Sequence, residues 1–248
     1  MKEIRLTKNF VMYQFDPEGE RVLGQNIFVL YHDDECIVFD AGYECHMAEL
    51  KPTLDKYDIK HVILTHFHPD HCYGLNELSK QNVIGSVHYI DTLTIFNDFD
   101  NELLIPAQTV DSTLSLDFYD HRIKIINNPG HSICGLAIII DDEFVLVGDD
   151  ILSTNDNNPV LPFIAYTIDS HESSLNVIKN LYSSKVLLPS HGSPLYKNQI
   201  SELDKRLNYI KFLKTKEKNI DVLHKKIDYT FENPEWHSFN VNNTKKAN

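Results

Sequence analysis

Thr65-His66-Phe67-His68-Pro69-Asp70-His71 puts four metal-competent side chains within six residues, directly after the apolar run His61-Val62-Ile63-Leu64. A short apolar run that breaks into a Pro-containing polar turn reads as a buried strand and the loop at its end. A peptide this short cannot hold all four groups on one ion without crowding. Some must face one ion and some another, with the missing ligands arriving from distant parts of the chain.

Three further stretches repeat the pattern of apolar strand, tight turn and ligand: Asn128-Pro129-Gly130-His131-Ser132, Val147-Gly148-Asp149-Asp150 and Pro189-Ser190-His191-Gly192. The candidate ligands are therefore His66, His68, Asp70, His71, His131, Asp149 and His191. Imidazole with carboxylate is the donor set of zinc, iron or manganese rather than calcium. Seven donors are too many for one tetrahedral ion and suit two ions that share a carboxylate and a water. The order Gly-Asp favours Asp149 over Asp150 as the ligand. An isolated HxH is commonly two surface histidines, whereas HxHxDH with the later turns is far more specific. His32, His46, His61, His88, His121, His171, His224 and His237 lack such context and are expected in surface or structural roles.

Around these turns the chain reads as strands in runs with helices between them. Strands are expected at 9–15, 25–31, 36–39, 60–64 and 83–87, then from 113 to 148 in four short runs, and at 186–188. Asp141-Asp142 has hairpin-turn chemistry. Met47, Leu50, Leu54 and Tyr57 recur at helical spacing, with Pro52 at a first turn or a kink. Short helices are expected at 73–79 and near 90–97. Asp169 and Glu172 form a capping-box pattern ahead of Leu175, Ile178 and Leu181, and Ile200 to Leu213 marks a longer amphipathic helix. The polar stretch 153–168 is a loop long enough to bind something. Residues 1–217 are expected to form the main domain. Residues 218–248 would be an extension packed on it, ending in a frayed polar tail.

The 248 residues suffice for a sizeable core. A net charge of −13, from 23 Lys and Arg against 36 Asp and Glu, opposes a polyanionic partner. The N-terminus lacks a secretory apolar core and no run approaches a membrane span, so a cytoplasmic location without membrane attachment is expected. Cys36, Cys45, Cys72 and Cys134 show no CxxC spacing and read as reduced thiols.

Asp40-Ala41-Gly42, the loop 66–71, Pro129-Gly130-His131, Gly148-Asp149 and Ser190-His191-Gly192 together resemble the metallo-β-lactamase fold superfamily, over about residues 20–195. The resemblance implies an α+β fold, a four-layer αββα sandwich of two mixed β-sheets flanked by helices. It implies that His66, His68 and His131 hold one metal and Asp70, His71 and His191 the other, with Asp149 bridging. Asp40 would brace the histidine loop from behind. Flavodiiron-type oxygen reductases of this fold usually carry Glu where His68 stands, so His68 favours hydrolysis. Class B β-lactamases of the first subclass do not match at His71. Nuclease branches add domains or basic surfaces. Glyoxalase II-like enzymes match the metal motif, and quorum-quenching lactonases share its size but place a Tyr where Ile151-Leu152 follow here.

The expected function is a metallo-hydrolase with two divalent ions, zinc first and iron or manganese as alternatives. A metal-bridged hydroxide would attack the ester, thioester, lactone or amide carbonyl of a small-molecule substrate. Asp70 is the candidate catalytic proton acceptor, and Phe163 and Tyr166 the candidate substrate wall. The rivals are a mononuclear iron persulfide dioxygenase using His66, His131 and Asp149, a phosphodiesterase of the same fold, and a non-catalytic metal-binding protein. No nucleic acid partner is expected, and oligomeric state is not legible.

Overall fold

A computed structural model describes residues 1–19, 22–79, 81–98, 100–182, 185–196, 199–215, 219–227 and 230–246. Strands β1 (Lys2–Arg5), β2 (Phe10–Phe15), β3 (Gln25–His32) and β4 (Glu35–Phe39) form an antiparallel meander. Helix α1 (Glu44–Leu54) then crosses over to β5 (Asp58–Ile63), parallel to β4. The short α2 (Pro69–Cys72) and a 3-10 turn (Tyr73–Glu77) lead to β6 (Val83–Ser86), and α3 (Tyr89–Phe96) leads to β7 (Gln108–Val110). These seven strands make one sheet in sequence order, antiparallel up to β4 and parallel beyond it.

The second sheet is an antiparallel run of β8 (Thr113–Phe118), β9 (His121–Asn127), β10 (Leu136–Ile140) and β11 (Phe144–Leu152). Helix α4 (Ile168–Tyr182) crosses over to β12 (Val186–His191), which lies parallel beside β11. Helices α5 (Ser201–Leu213), α6 (Ile220–Ile227) and α7 (Trp236–Lys246) follow.

Strand alternation sorts the side chains into layers. Phe10, Met12, Phe28, Leu30 and Phe39 face Ile123, Ile125, Leu136, Ile138 and Leu146 in a core between the two sheets. Their sequence neighbours Val11, Tyr13, Val29 and Val38 point the other way, onto Met47, Leu50 and Leu54 of α1. On the far side, Ala137, Ile139, Val145 and Val147 pack under Leu175 and Ile178 of α4 and Leu203, Leu207 and Ile210 of α5. The central strands of both sheets are thus apolar on both faces with helices outside them, which is the αββα sandwich, while the outer face at the β8–β9 edge is polar and exposed. Each fully buried Leu, Ile or Phe contributes roughly 1.5–3 kcal/mol through apolar area withdrawn from water.

Local chemistry explains several boundaries. Asp141 and Asp142 both have positive φ (53° and 57°), the left-handed pair that a tight β10–β11 hairpin requires. Pro52 lies in the last turn of α1, where the missing N–H costs one bond, and the helix closes at Asp55, whose N–H donates to the Lys51 carbonyl (2.8 Å). All four cysteines are free thiols, and Cys36, Cys72 and Cys134 are buried. Among the described residues no helix is long and apolar enough to cross a membrane.

Three expectations need correction. The edge strand β1 is mostly exposed, so it carries no apolar alternation to read. The α4 cap is Thr167, whose Oγ1 accepts from Ser170 N–H (3.1 Å), while Asp169 and Glu172 instead take Lys214 Nζ. The polar tail is not frayed through residue 246: α7 runs through Trp236–Lys246 with Asn240 fully buried. Residues 247–248 lie outside the described residues, as does the expected limit at 217–218. On either side of that limit α5 meets α7 through Tyr209 Oη and His237 Nδ1 (3.1 Å).

Candidate metal centre

The seven ligand candidates come from four stretches of chain, and all meet at one edge of the sandwich. The loop after β5 is anchored by Phe67, fully buried over Gly85, where a Cβ would come within 2.5 Å of its ring. With Phe67 turned down, alternation turns His66 and His68 up. Pro69 at the first position of α2 ends the extended chain and puts Asp70 and His71 on a helical turn. In β11 the pairing with β12 shifts at Gly148, whose φ is +54° and whose Cβ would press on Thr65. Glycine is required there, and the bulge aims Asp149 at the histidines.

His66, His68 and His131 form one cluster and Asp70, His71, Asp149 and His191 another, each with ligand atoms within 4.8 Å of one another. In the trio, His68 Nδ1 lies 3.1 Å from His66 Nε2 and 2.9 Å from His131 Nε2. In the quartet, Asp149 Oδ1 lies 3.3 Å from the Nε2 atoms of both His71 and His191. The other Asp149 oxygen, Oδ2, turns to the trio, 3.7 Å from His131 Nε2 and 4.0 Å from His66 Nε2. Asp70 faces His191 through Oδ2 (3.4 Å) and His71 through Oδ1 (3.8 Å).

Hydrogen bonds behind the rings fix the tautomers. His131 Nδ1–H donates to the Phe163 carbonyl (2.6 Å), His191 Nδ1–H to the Gly24 carbonyl (2.5 Å) and His71 Nδ1–H to Asp40 Oδ2 (2.9 Å). Each Nε2 is left facing inward. Asp40 also accepts from Thr65 N–H (2.7 Å), Thr65 Oγ1 (2.8 Å) and Ser190 Oγ (2.9 Å), so one buried carboxylate ties together the loops bearing His66, His71 and His191. Asn26 Nδ2 holds the last of these through the Pro189 and Gly192 carbonyls (2.9 and 2.7 Å).

The two clusters differ in charge. Burial pushes His66 well below the usual imidazole range, His68 down to about 3 and His131 down as well, so the trio is neutral. Burial opposes charge in the quartet too, but there the partners win. Asp149 is held well below the carboxylate range by His191 and His71, and Asp70 is lowered by the same two rings. His71 is raised by Asp149, Asp70 and Asp40, and His191 is raised to about 10 by Asp149 and Asp70.

A metal fits these residues. His71 Nε2 and Asp149 Oδ1 are buried without a hydrogen-bond partner although only 3.3 Å apart, because both aim at a common point rather than at each other. A trio of imidazoles beside two imidazoles and two carboxylates is a donor set for zinc-like ions. A third group, Glu18, Cys45 and His46, is less suited. His46 Nδ1 accepts from Tyr43 N–H (3.3 Å), which leaves the ring proton on Nε2.

Residues 21–191 match the family model described as the metallo-beta-lactamase superfamily. This chain belongs to that superfamily. Members bind divalent metals and are mostly metallo-hydrolases. A metallo-beta-lactamase from Pontibacter korlensis superposes with a TM-score of 0.67 at 13% identity, covering 85% of this chain and 98% of that one. An archaeal metallo-beta-lactamase superfamily protein, ST1585 from Sulfolobus tokodaii, gives 0.58 at 18% identity over 90% and 96%. At such identities the likeness shows the fold alone. Ribonuclease Z from Salinispora arenicola (strain CNS-205) is 40% identical over 55 residues, 22% of this chain and 18% of the relative's length.

Asp150, the neighbour of the favoured ligand, and His171, expected in a surface or structural role, take defined places behind His131 in this superfamily member. Asp150 is buried, takes His131 N–H (2.7 Å) and Asn128 Nδ2 (3.2 Å), and is pushed up to about 7 by burial. His171 is fully buried beneath it, its Nε2 3.3 Å from the Asp150 carbonyl, and burial lowers it to about 3. Phe163 lines the cleft over the metal centre, but Tyr166 does not. The chain turns into α4 just beyond and leaves Tyr166 41% exposed. The walls facing Phe163 come from Ile95 and Phe96 of α3 and from Trp236 and Phe239 of α7, which no short-range pattern marks.

Proposed function

We propose that this chain is a metal-dependent hydrolase of small carbonyl compounds: esters, thioesters, lactones or amides. Two divalent ions, zinc first, would occupy the trio and the quartet with Asp149 between them. The observation that carries this reading is the split of Asp149, one oxygen turned to each cluster. Bound there, the ions supply Lewis acidity and lower the pKa of a water to about 7.

The protein's own groups do the rest. Asp40, Phe163 and Gly24 hold the imidazoles in the tautomer that presents Nε2. Asp70 has a 24% exposed side chain, the more exposed of the two quartet carboxylates at the cleft, so its carboxylate is placed to take a proton from water and return it to a leaving group. His191, also at the cleft wall, is placed to touch that leaving group. The apolar lining keeps bulk water from the reacting carbonyl.

Metal analysis and turnover of His68→Ala test the reading. Loss of metal and of ester or thioester hydrolysis together is expected, and survival of both would contradict it. A phosphodiesterase is the second reading, favoured by the ribonuclease Z match. It predicts faster turnover of bis(p-nitrophenyl) phosphate than of p-nitrophenyl esters. One iron per chain with oxygen uptake would point instead to the dioxygenase chemistry.

A further inference from the structure

The cleft over the two clusters has two arms of unlike character. The larger, about 590 Å³, opens on His68 and His131 and is walled by Ile95, Phe96, Phe163, Trp236 and Phe239. The smaller, about 360 Å³, opens on His191 and is rimmed by Asp16, Glu18 and Glu235. Tyr43, Asp70 and Trp236 border both, so the arms are continuous across the centre. Among the described residues, of which Arg21 is not one, neither arm is lined by a Lys or Arg. These volumes suit a small molecule.

The aromatic wall is built rather than incidental. Phe163 stacks on Phe239 with ring centroids 4.5 Å apart and planes 11° from parallel, and it meets Trp236 edge-on at 5.1 Å. Behind it, fully buried Asn240 donates to the Pro162 carbonyl (2.7 Å) and accepts from Ile164 N–H (3.0 Å). Asn243 Nδ2 donates to the Ile164 carbonyl (2.9 Å), and Leu161 N–H reaches the Glu232 carbonyl (3.0 Å). Loop 159–164 and segment 232–243 thus form one stitched unit. The family model ends at 191, so half of this wall belongs to the chain's own extension rather than to the shared core.

We propose that the site selects a carbonyl substrate bearing an apolar group, aromatic or medium-chain alkyl, and no anionic group. The apolar group seats against Phe163, Trp236 and Phe239. This rests on the hydrolase reading above and narrows its substrate class. Apolar area withdrawn against flat rings supplies the attraction. Asp16, Glu18 and Glu235 rim the second arm and repel a carboxylate or phosphate placed there, away from His191 and the metal centre.

Trp236 is the chain's one tryptophan, so its emission reports occupancy of the wall without turnover. Titration of the metal-loaded protein with 4-phenyl-2-butanone, a neutral ketone that cannot be hydrolysed, is expected to give a saturable change. The analogue carrying a carboxylate on the far end of the ring should bind at least about tenfold more weakly. In turnover, p-nitrophenyl octanoate should exceed the acetate in kcat/KM by about tenfold or more, and the hemisuccinate should fall below the butyrate. Phe239→Ala should cut the octanoate-to-acetate ratio by roughly tenfold, mainly through KM, and Phe96→Ala serves if that variant does not fold. Preference for the hemisuccinate or for bis(p-nitrophenyl) phosphate, or an unchanged ratio in these variants, would overturn the inference. Loss of turnover on every ester, with the Trp236 response to the ketone intact, would instead overturn the hydrolase reading and leave the apolar site standing.

Discussion

The trio and the quartet sit side by side, share Asp149, and solve the same problem in opposite ways. His66, His68 and His131 are kept neutral by burial, so their lone pairs are available at neutral pH. His71 and His191 are buried just as deeply, yet Asp149, Asp70 and Asp40 keep them protonated. The carboxylates gathered around the quartet therefore decide which imidazoles must lose a proton before they can ligate. The trio is ready for an ion, whereas the quartet stores charge that an ion must displace.

Removing the shared group should have the largest effect. Asp149→Ala takes one ligand from each cluster, and turnover should fall by on the order of a thousandfold or more, since several kcal/mol of charge stabilisation go with the ions. Steady-state kinetics with elemental analysis checks it. Next, His131→Ala and His191→Ala should each lower the metal content by one ion per chain while leaving the other cluster loaded. Equal loss of both ions in either variant would mean that the clusters do not bind separately.

Asp40→Asn keeps the size of the side chain but places an amide where four groups now donate. Quartet affinity should drop by about 10–100-fold, with a smaller change at the trio, as competition with a chelator would show.

The smallest effect is a pH signature. At pH 7 metal binding to the quartet should release protons, and its affinity should rise with pH, while trio affinity stays nearly flat. Calorimetry in buffers of different ionisation heat counts those protons. In the metal-free protein, Asp149 and Asp70 raise His191 to about 10 from the ordinary imidazole value of 6.5. Its pairing thus stabilises the fold fully below pH 6.5, and that contribution is lost as the pH climbs through 10. For the trio the sign reverses. His68, lowered to about 3, resists a proton that the unfolded chain accepts, so stability falls as the pH drops below 6.5. Thermal melts of the metal-free protein should therefore be highest near neutrality and decline on both sides.

The metal clusters were legible because their chemistry is local. The candidates lie in or just beyond apolar strands, and four of the seven fall within one six-residue stretch after β5. Sheet membership followed from alternating apolar residues, which fails for a strand as exposed as β1. Thr167 went unread because Asp169 and Glu172 offered the stronger pattern, and only the structure shows Lys214 occupying them. The substrate wall was illegible for a deeper reason. Phe163 acquires its meaning from Trp236 and Phe239, more than seventy residues on, in a helix whose sequence looks polar because Asn240 and Asn243 are spent on holding the wall. Ligands that gather at strand ends announce themselves, whereas a wall assembled from a distant helix does not.

Two ions flanking Asp149 are the central expectation for this site. Anomalous diffraction at the zinc edge from metal-loaded crystals tests that. The expected map has two peaks per chain, one within about 2.0–2.2 Å of nitrogens from His66, His68 and His131, the other within the same distance of nitrogens from His71 and His191 and an oxygen of Asp70, with one Asp149 oxygen on each. A single peak, or two peaks with both Asp149 oxygens on the same ion, would contradict it.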